Sequence, residues 1–116
     1  MSYRSLVRCA WRETIMKRED LIAVRIYITE SSNQEDKIIH YLQKEINIQG
    51  ISVFRAVSGY GKTGTHKTTL LDLSLDLPLV IEFFDYEDKA NVAIKYLSDT
   101  MELRHVISWP VSLNKK

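Results

Sequence analysis

The chain has 116 residues, enough for one domain with a real core. Hydrophobic residues make up 45% and charged residues 27%, with a formal net charge of +1, so there is no global basic field to gather nucleic acid or an acidic membrane. The single cysteine, Cys9, excludes an internal disulfide and fits a reducing compartment. No run approaches the roughly 18 apolar residues needed to span a bilayer. Arg4, Arg8, Arg12 and Glu13 break up any secretory apolar core. The expectation is a soluble cytoplasmic protein with no nucleic-acid partner and no transmembrane segment.

Residues 1–20 stand apart as an N-terminal extension. Tyr3, Leu6, Val7, Ala10, Trp11 and Ile15 recur at helical spacing, with Arg4, Arg8 and Arg12 on another side. The pattern suits an amphipathic helix docked on the domain, a partner or a lipid surface. The plainer reading, and the one favoured, is a packed or frayed extension, as termini are usually loosely held. Translation starting at Met16 would remove residues 1–15, and an intact mass of the native protein decides this.

The domain proper is expected over residues 21–113. In Leu21–Thr29, Ile22, Val24, Ile26 and Ile28 share one face, and Arg25, Tyr27 and Thr29 the other, which is strand patterning with β-branched residues. Ser32-Asn33-Gln34-Glu35 has capping-box spacing and opens a helix with the apolar stripe Ile38, Ile39, Leu42 and Ile46. Gly50 fits its stop. Ile51–Val57 reads as a second strand, followed by a loop, residues 58–69. Leu70–Leu75 suits a strand or a turn of helix. Leu77–Phe84 is the most apolar strand, with Leu79, Ile81 and Phe83 on one face and Val80 and Phe84 on the other. Asp85 is expected to cap a second helix carrying Ala90, Ala93, Ile94, Leu97 and Met101 on one side. A last strand covers about Arg104–Val111, and Asn114, Lys115 and Lys116 read as a solvated tail.

The order strand–helix–strand–strand–helix–strand is the split βαβ, ferredoxin-like α+β arrangement. Two helices on one face of an antiparallel sheet leave the other face needing cover. That face carries Val80, Phe84 and, on this reading, Phe54 or Trp109. Copies of the chain are the simplest cover, so a homo-oligomer is expected.

Three of the four glycines, Gly59, Gly61 and Gly64, fall within six residues of the loop, with Lys62, His66, Lys67 and five Ser and Thr hydroxyls. No acidic residue lies between Glu45 and Asp72. Glycines let backbone N–H groups cradle an anion, and lysines and hydroxyls add charge and donors, so phosphate is the natural guest. The bland alternative is a surface hairpin whose glycines serve its turns. Ala56-Val57-Ser58-Gly59-Tyr60-Gly61-Lys62-Thr63 also fits a relaxed Walker A pattern after a strand. That motif must open a helix, however, and Gly64-Thr65-His66-Lys67-Thr68-Thr69 is a poor helix start.

With these residues in view, Leu21–Val111 resembles the PII-like proteins of an uncharacterised domain family related to the PII nitrogen-signalling regulators. The resemblance rests on Arg25–Ser31, on Val53–Gly61, on His66 and on Leu70–Glu82. Ala56 stands where the family often has glycine, and Leu75 where it often has an acid. The resemblance implies a ferredoxin-like homotrimer that binds an adenine nucleotide (AMP, ADP or ATP) in clefts between subunits. It also implies a flexible T-loop at residues 58–69 that engages a regulated transporter or enzyme. Gly59 and Gly61 would then contact phosphate through backbone, Lys62 would be a mobile cation, and Arg55 would face the cleft. The ligand-binding set is Arg55, Gly59, Tyr60, Gly61, Lys62, Thr63, Gly64 and His66, with Glu30 and Arg104 as further contacts.

Each of these has a plainer reading beside it. His66 would bond phosphate or act as a pH-sensitive switch, or is simply an exposed loop histidine. Glu30 could meet a ribose hydroxyl, but helix-end electrostatics explains it as well. Arg104 could reach a neighbour's ligand or make a surface salt bridge. Glu82, inside an apolar strand, needs a partner, Arg55 or Arg25. His40 and His105 are read as structural, and no zinc-type spacing occurs, so no structural metal is expected. The expectation is a regulator and not an enzyme. The alternatives are a minimal P-loop-type phosphohydrolase using Lys62 and Thr63, and an assembly module without a small ligand.

Overall fold

The computed structural model describes residues 17–61, 64–67, 77–103 and 105–115. Strand β1 spans Lys17–Thr29. Its alternation of β-branched residues puts Val24, Ile26 and Ile28 into the core. Helix α1, Glu35–His40, runs on into a π-helical turn, Tyr41–Glu45. Strand β2 is Gly50–Arg55, β3 Ser58–Gly61, β4 Gly64–Lys67 and β5 Pro78–Asp85. Helix α2 is Glu87–Met101 and β6 is His105–Lys115.

Four strands form one antiparallel sheet in the order β2-β5-β1-β6, and β3 and β4 form a separate hairpin. This is the expected ferredoxin-like α+β order, with a hairpin inserted between the second and third sheet strands. The core lies between the sheet and the helices. Ile38 and Leu42 of the first helix and Ala90, Ala93 and Leu97 of α2 meet Val24, Ile26, Ile81 and Phe83, all at most 1% exposed. The two alanines let α2 approach the sheet closely. Each fully buried Leu, Ile or Phe contributes about 1.5–3 kcal/mol.

Residues paired across the sheet share a face. The register therefore gathers Val80, Glu82 and Phe84 of β5, Arg25 and Tyr27 of β1, Phe54 of β2, and Ile107 and Trp109 of β6 on the side away from the core. Val80, Phe84, Phe54 and Trp109 thus share the uncovered face. Glu82 meets Arg25, one of its two expected partners, at 3.1 Å.

Several local expectations are corrected. No capping box forms at Ser32: its hydroxyl donates to the Thr29 carbonyl at 2.6 Å, and Gln34 occupies the N-cap without a side-chain bond. Gln34 instead donates through Nε2 to the Met101 carbonyl at 2.8 Å, tying the two helices together. The first helix does not stop at Gly50. It ends by Ile46 N–H donating to the Tyr41 carbonyl at 3.0 Å, after which Asn47 takes the left-handed conformation at φ 55°. Gly50 begins β2, where a Cβ would run into the Phe84 ring. Asp85 does not cap α2 either. It is the buried last residue of β5 and accepts from the Tyr86 N–H at 2.7 Å and the Gln49 N–H at 2.9 Å.

The sheet also reaches further at one end than the periodicity suggests. Lys17–Asp20 belong to β1 and pair with Ser112–Lys115, so Asn114 and Lys115 lie in a strand and not in a tail. The remaining 16 residues of the extension expected over 1–20 lie outside the described residues, as do Leu70–Leu75.

Candidate functional site at the foot of the glycine-rich hairpin

The ends of β1 and β2 lie on either side of the start of β5. Thr29 is opposite Pro78, and Arg55 is opposite Leu79. Two backbone bonds extend the ladder past the strands: Glu30 N–H donates to the Leu77 carbonyl at 3.2 Å and Ala56 N–H to the Pro78 carbonyl at 3.0 Å. This construction brings together Glu30 and Arg55, which are 25 residues apart in the sequence, as an ion pair between Oε1 and a terminal guanidinium nitrogen. The Arg55 side chain is 60% exposed and that of Glu30 28%. A pair so exposed contributes about 0–1 kcal/mol, so a stronger anion can displace the carboxylate from the guanidinium.

Beside Glu30 stand three hydroxyl groups, none of which sequence reading assigned to the site. Thr29 Oγ1 and Ser31 Oγ lie 3.4 Å apart, and Ser32 bonds back to the Thr29 carbonyl. Asn33 closes this turn at φ 56°, donating its N–H to the Glu30 carbonyl at 3.2 Å. The signal for it was present in the run Thr29-Glu30-Ser31-Ser32-Asn33, whose short polar side chains favour local backbone bonds over helix.

Arg55 is followed within three residues by the hairpin. Ser58 pairs with Lys67, Gly59 with His66, Tyr60 with Thr65 and Gly61 with Gly64. The backbones of five predicted ligand residues, Gly59, Tyr60, Gly61, Gly64 and His66, are therefore set in one two-stranded ribbon that starts at the Glu30–Arg55 pair. Lys62, Thr63 and Arg104 lie outside the described residues. Where a Walker A motif would open a helix, Gly64–Lys67 runs back as a strand along Ser58–Gly61. A ribbon does not present the stacked N–H groups of a helix N-terminus, so the P-loop geometry is absent from this segment. Among the described residues, no group of three or more His, Cys, Asp or Glu could hold a metal ion. No described helix is long and apolar enough to cross a membrane.

The fold is shared with PII-like proteins. The apo form of CPII, a nitrogen regulatory PII-like protein from Thiomonas intermedia, superposes with a TM-score of 0.66 at 12% identity, over 88% of this chain and 100% of that one. CPII bound to ADP and bicarbonate gives 0.63 at 14%, over 86% and 92%. A PII-like signalling protein described as putative, from Thermus thermophilus, gives 0.60 at 17%, over 85% and 92%. By sequence, the UPF0166 protein of Aquifex aeolicus is 41% identical over 71 residues, 57% of this chain and 68% of that protein. The UPF0166 protein of Methanocaldococcus jannaschii is 28% identical over 83 residues, 68% of this chain and 77% of that one. Residues 21–113 match the DUF190 family model, described as Uncharacterized ACR, and the chain belongs to that family.

Proposed function

We propose that this chain is a PII-like signalling protein that binds an adenine nucleotide and does not turn it over. The observation that carries the reading is the Glu30–Arg55 pair at the foot of the glycine hairpin. It offers an exposed, exchangeable cation beside backbone that glycines leave open to an anion. The ADP in the CPII structure supports an adenine nucleotide as the class of ligand. On this reading the chain forms a cytoplasmic homotrimer with nucleotides in the clefts between subunits. AMP, ADP and ATP are the candidate ligands. The domain whose sheet runs from Lys17 to Lys115 is the sensing unit, and residues 1–16 are an extension to it. The phosphates lie against Arg55, Gly59, Tyr60, Gly61, Lys62, Thr63 and Gly64, with Glu30, His66 and Arg104 as further contacts. Loop 58–69 then changes shape and controls a transporter or an enzyme.

The test is calorimetric titration with AMP, ADP, ATP and cyclic nucleotides, with hydrolysis assayed in parallel. Binding without hydrolysis is expected. Arg55→Ala and Gly61→Val should each weaken it about 10-fold or more, the scale of one charge-assisted bond or one blocked backbone approach. Absence of binding by every nucleotide, or unchanged affinity in both variants, refutes the site. Turnover that Lys62→Ala abolishes would identify a phosphohydrolase instead.

A further inference from the structure

The uncovered sheet face is mostly apolar, with Ser52 and His105 on its edge strands and one ion pair near its centre. Phe54 is 50% exposed, Ile107 47% and Tyr27 38%, and Val80, Phe84 and Trp109 lie among them. Monomeric proteins seldom leave so continuous an apolar patch in water. Within it, Arg25 Nε donates to Glu82 Oε1 at 3.1 Å, and the guanidinium carbon sits 5.2 Å from the centre of the Trp109 ring. These two charges are cross-strand partners on the two central strands, β1 and β5. The bond between them is single-point, from Nε to one carboxylate oxygen, and the side chains remain 42% and 26% exposed. Both charges therefore still face whatever covers the sheet.

We propose that the Arg25–Glu82 pair fixes the register in which copies of this chain cover one another's open sheet faces. The argument is one of charge complementarity. An apolar face packs against another in many nearly equal registers. The single-point bond leaves further guanidinium N–H groups and a carboxylate oxygen to be met when the face is covered, so the pair penalises every register that leaves them unmet. A second copy necessarily brings an Arg25 and a Glu82 in the same proportion, and a mixed apolar and ionic patch of this kind matches itself. A foreign partner would need both charges placed independently. Trp109 holds the guanidinium against the sheet by its ring face, which limits where the positive charge can be presented. The inference shares with the proposed function its self-association and nothing of its ligand.

The experiment is native mass spectrometry and sedimentation velocity on the full chain and on Arg25→Met, Glu82→Gln and the double variant Arg25→Met/Glu82→Leu, without nucleotide. The pair lies on the surface of the isolated fold, and circular dichroism checks that each variant folds. The full chain should show one stoichiometry above one. Each single variant strands a charge in the interface and should raise the dissociation constant at least about 30-fold. The double variant should associate again, but as a mixture of stoichiometries, because attraction returns without the register. Three outcomes overturn the proposal: a monomeric full chain, single variants that assemble like the parent, or a double variant with one sharp stoichiometry. A protein that assembles as expected and binds no nucleotide counts against the proposed ligand alone.

Discussion

Removing the carboxylate of Asp85 should cost the fold about 3–5 kcal/mol, more than any other single polar change among the described residues. Asp85 is 1% exposed at the end of β5. It accepts the Gln49 N–H at 2.9 Å and the Tyr86 N–H at 2.7 Å, and the Lys89 ammonium stands 3.8 Å away. It therefore fixes both the approach to β2 and the entry to α2. A hydrogen bond to a charged group is worth about 1.5–3 kcal/mol, and deleting the acceptor leaves two partly buried amides unmet. The Lys89 contact adds at most about 1 kcal/mol, since its side chain is 36% exposed. Against a total stability of about 5–15 kcal/mol, the sum is a large fraction. Urea unfolding followed by circular dichroism, at one fixed protein concentration, measures it. Asp85→Ala should lose the full amount. Asp85→Asn keeps one carbonyl acceptor and should lose about half. A loss under about 1 kcal/mol for Asp85→Ala, or equal losses for the two variants, would refute the reasoning.

Three further outcomes are expected. Gly50→Ala forces a Cβ into the Phe84 ring and should cost about 1–3 kcal/mol; a double-mutant cycle with Phe84→Leu should recover most of it, and additive losses would contradict the clash. Leu42→Ala empties a fully buried site and should cost about 2–5 kcal/mol in the same urea assay. Glu19 is held below the ordinary carboxylate range, first because the Tyr86 hydroxyl donates to it at 2.7 Å and then because the Lys115 ammonium stands at 3.2 Å. A carboxylate lowered in the folded state stabilises above its ordinary value, and that contribution is lost as pH falls through the lowered one. In Tyr86→Phe an NMR titration should find the Glu19 midpoint moved up toward its ordinary value, and an unmoved midpoint would exclude the Tyr86 bond as the main cause.

Much of this architecture is legible in the sequence wherever burial imposes a period. The alternation in Ile22–Ile28 and Leu79–Phe83 gives the two central strands and assigns their faces, because a strand between core and open face must alternate. The spacing of Ala90, Ala93 and Leu97 likewise gives the buried face of α2. Legibility fails where a short polar side chain can choose between neighbours. Ser32 and Asp85 both stand at cap-like positions, yet one bonds to Thr29 and the other reaches Gln49, 36 residues away. Gly50 was legible as special but not for the right reason, which is the Phe84 ring on the adjacent strand. The strand content of Lys17–Asp20 was illegible for a similar reason: charged residues extend as a strand only because Ser112–Lys115 pair with them.

The candidate site divides in the same way. By itself the sequence determined the glycine-rich loop and its chemistry, because glycine spacing, lysines and hydroxyls are local properties. It also determined the class of fold, since four strands and two helices in that order leave one simple packing. Tertiary structure alone decided that Glu30 and Arg55 meet at the foot of the hairpin, since that depends on β5 inserting between β1 and β2. It also decided that Gly64–Lys67 returns as a strand along Ser58–Gly61. Finally, it decided that Arg25, Glu82 and Trp109 converge on one open face. Cross-strand register places these groups, and register is a property of the whole sheet that no single segment encodes.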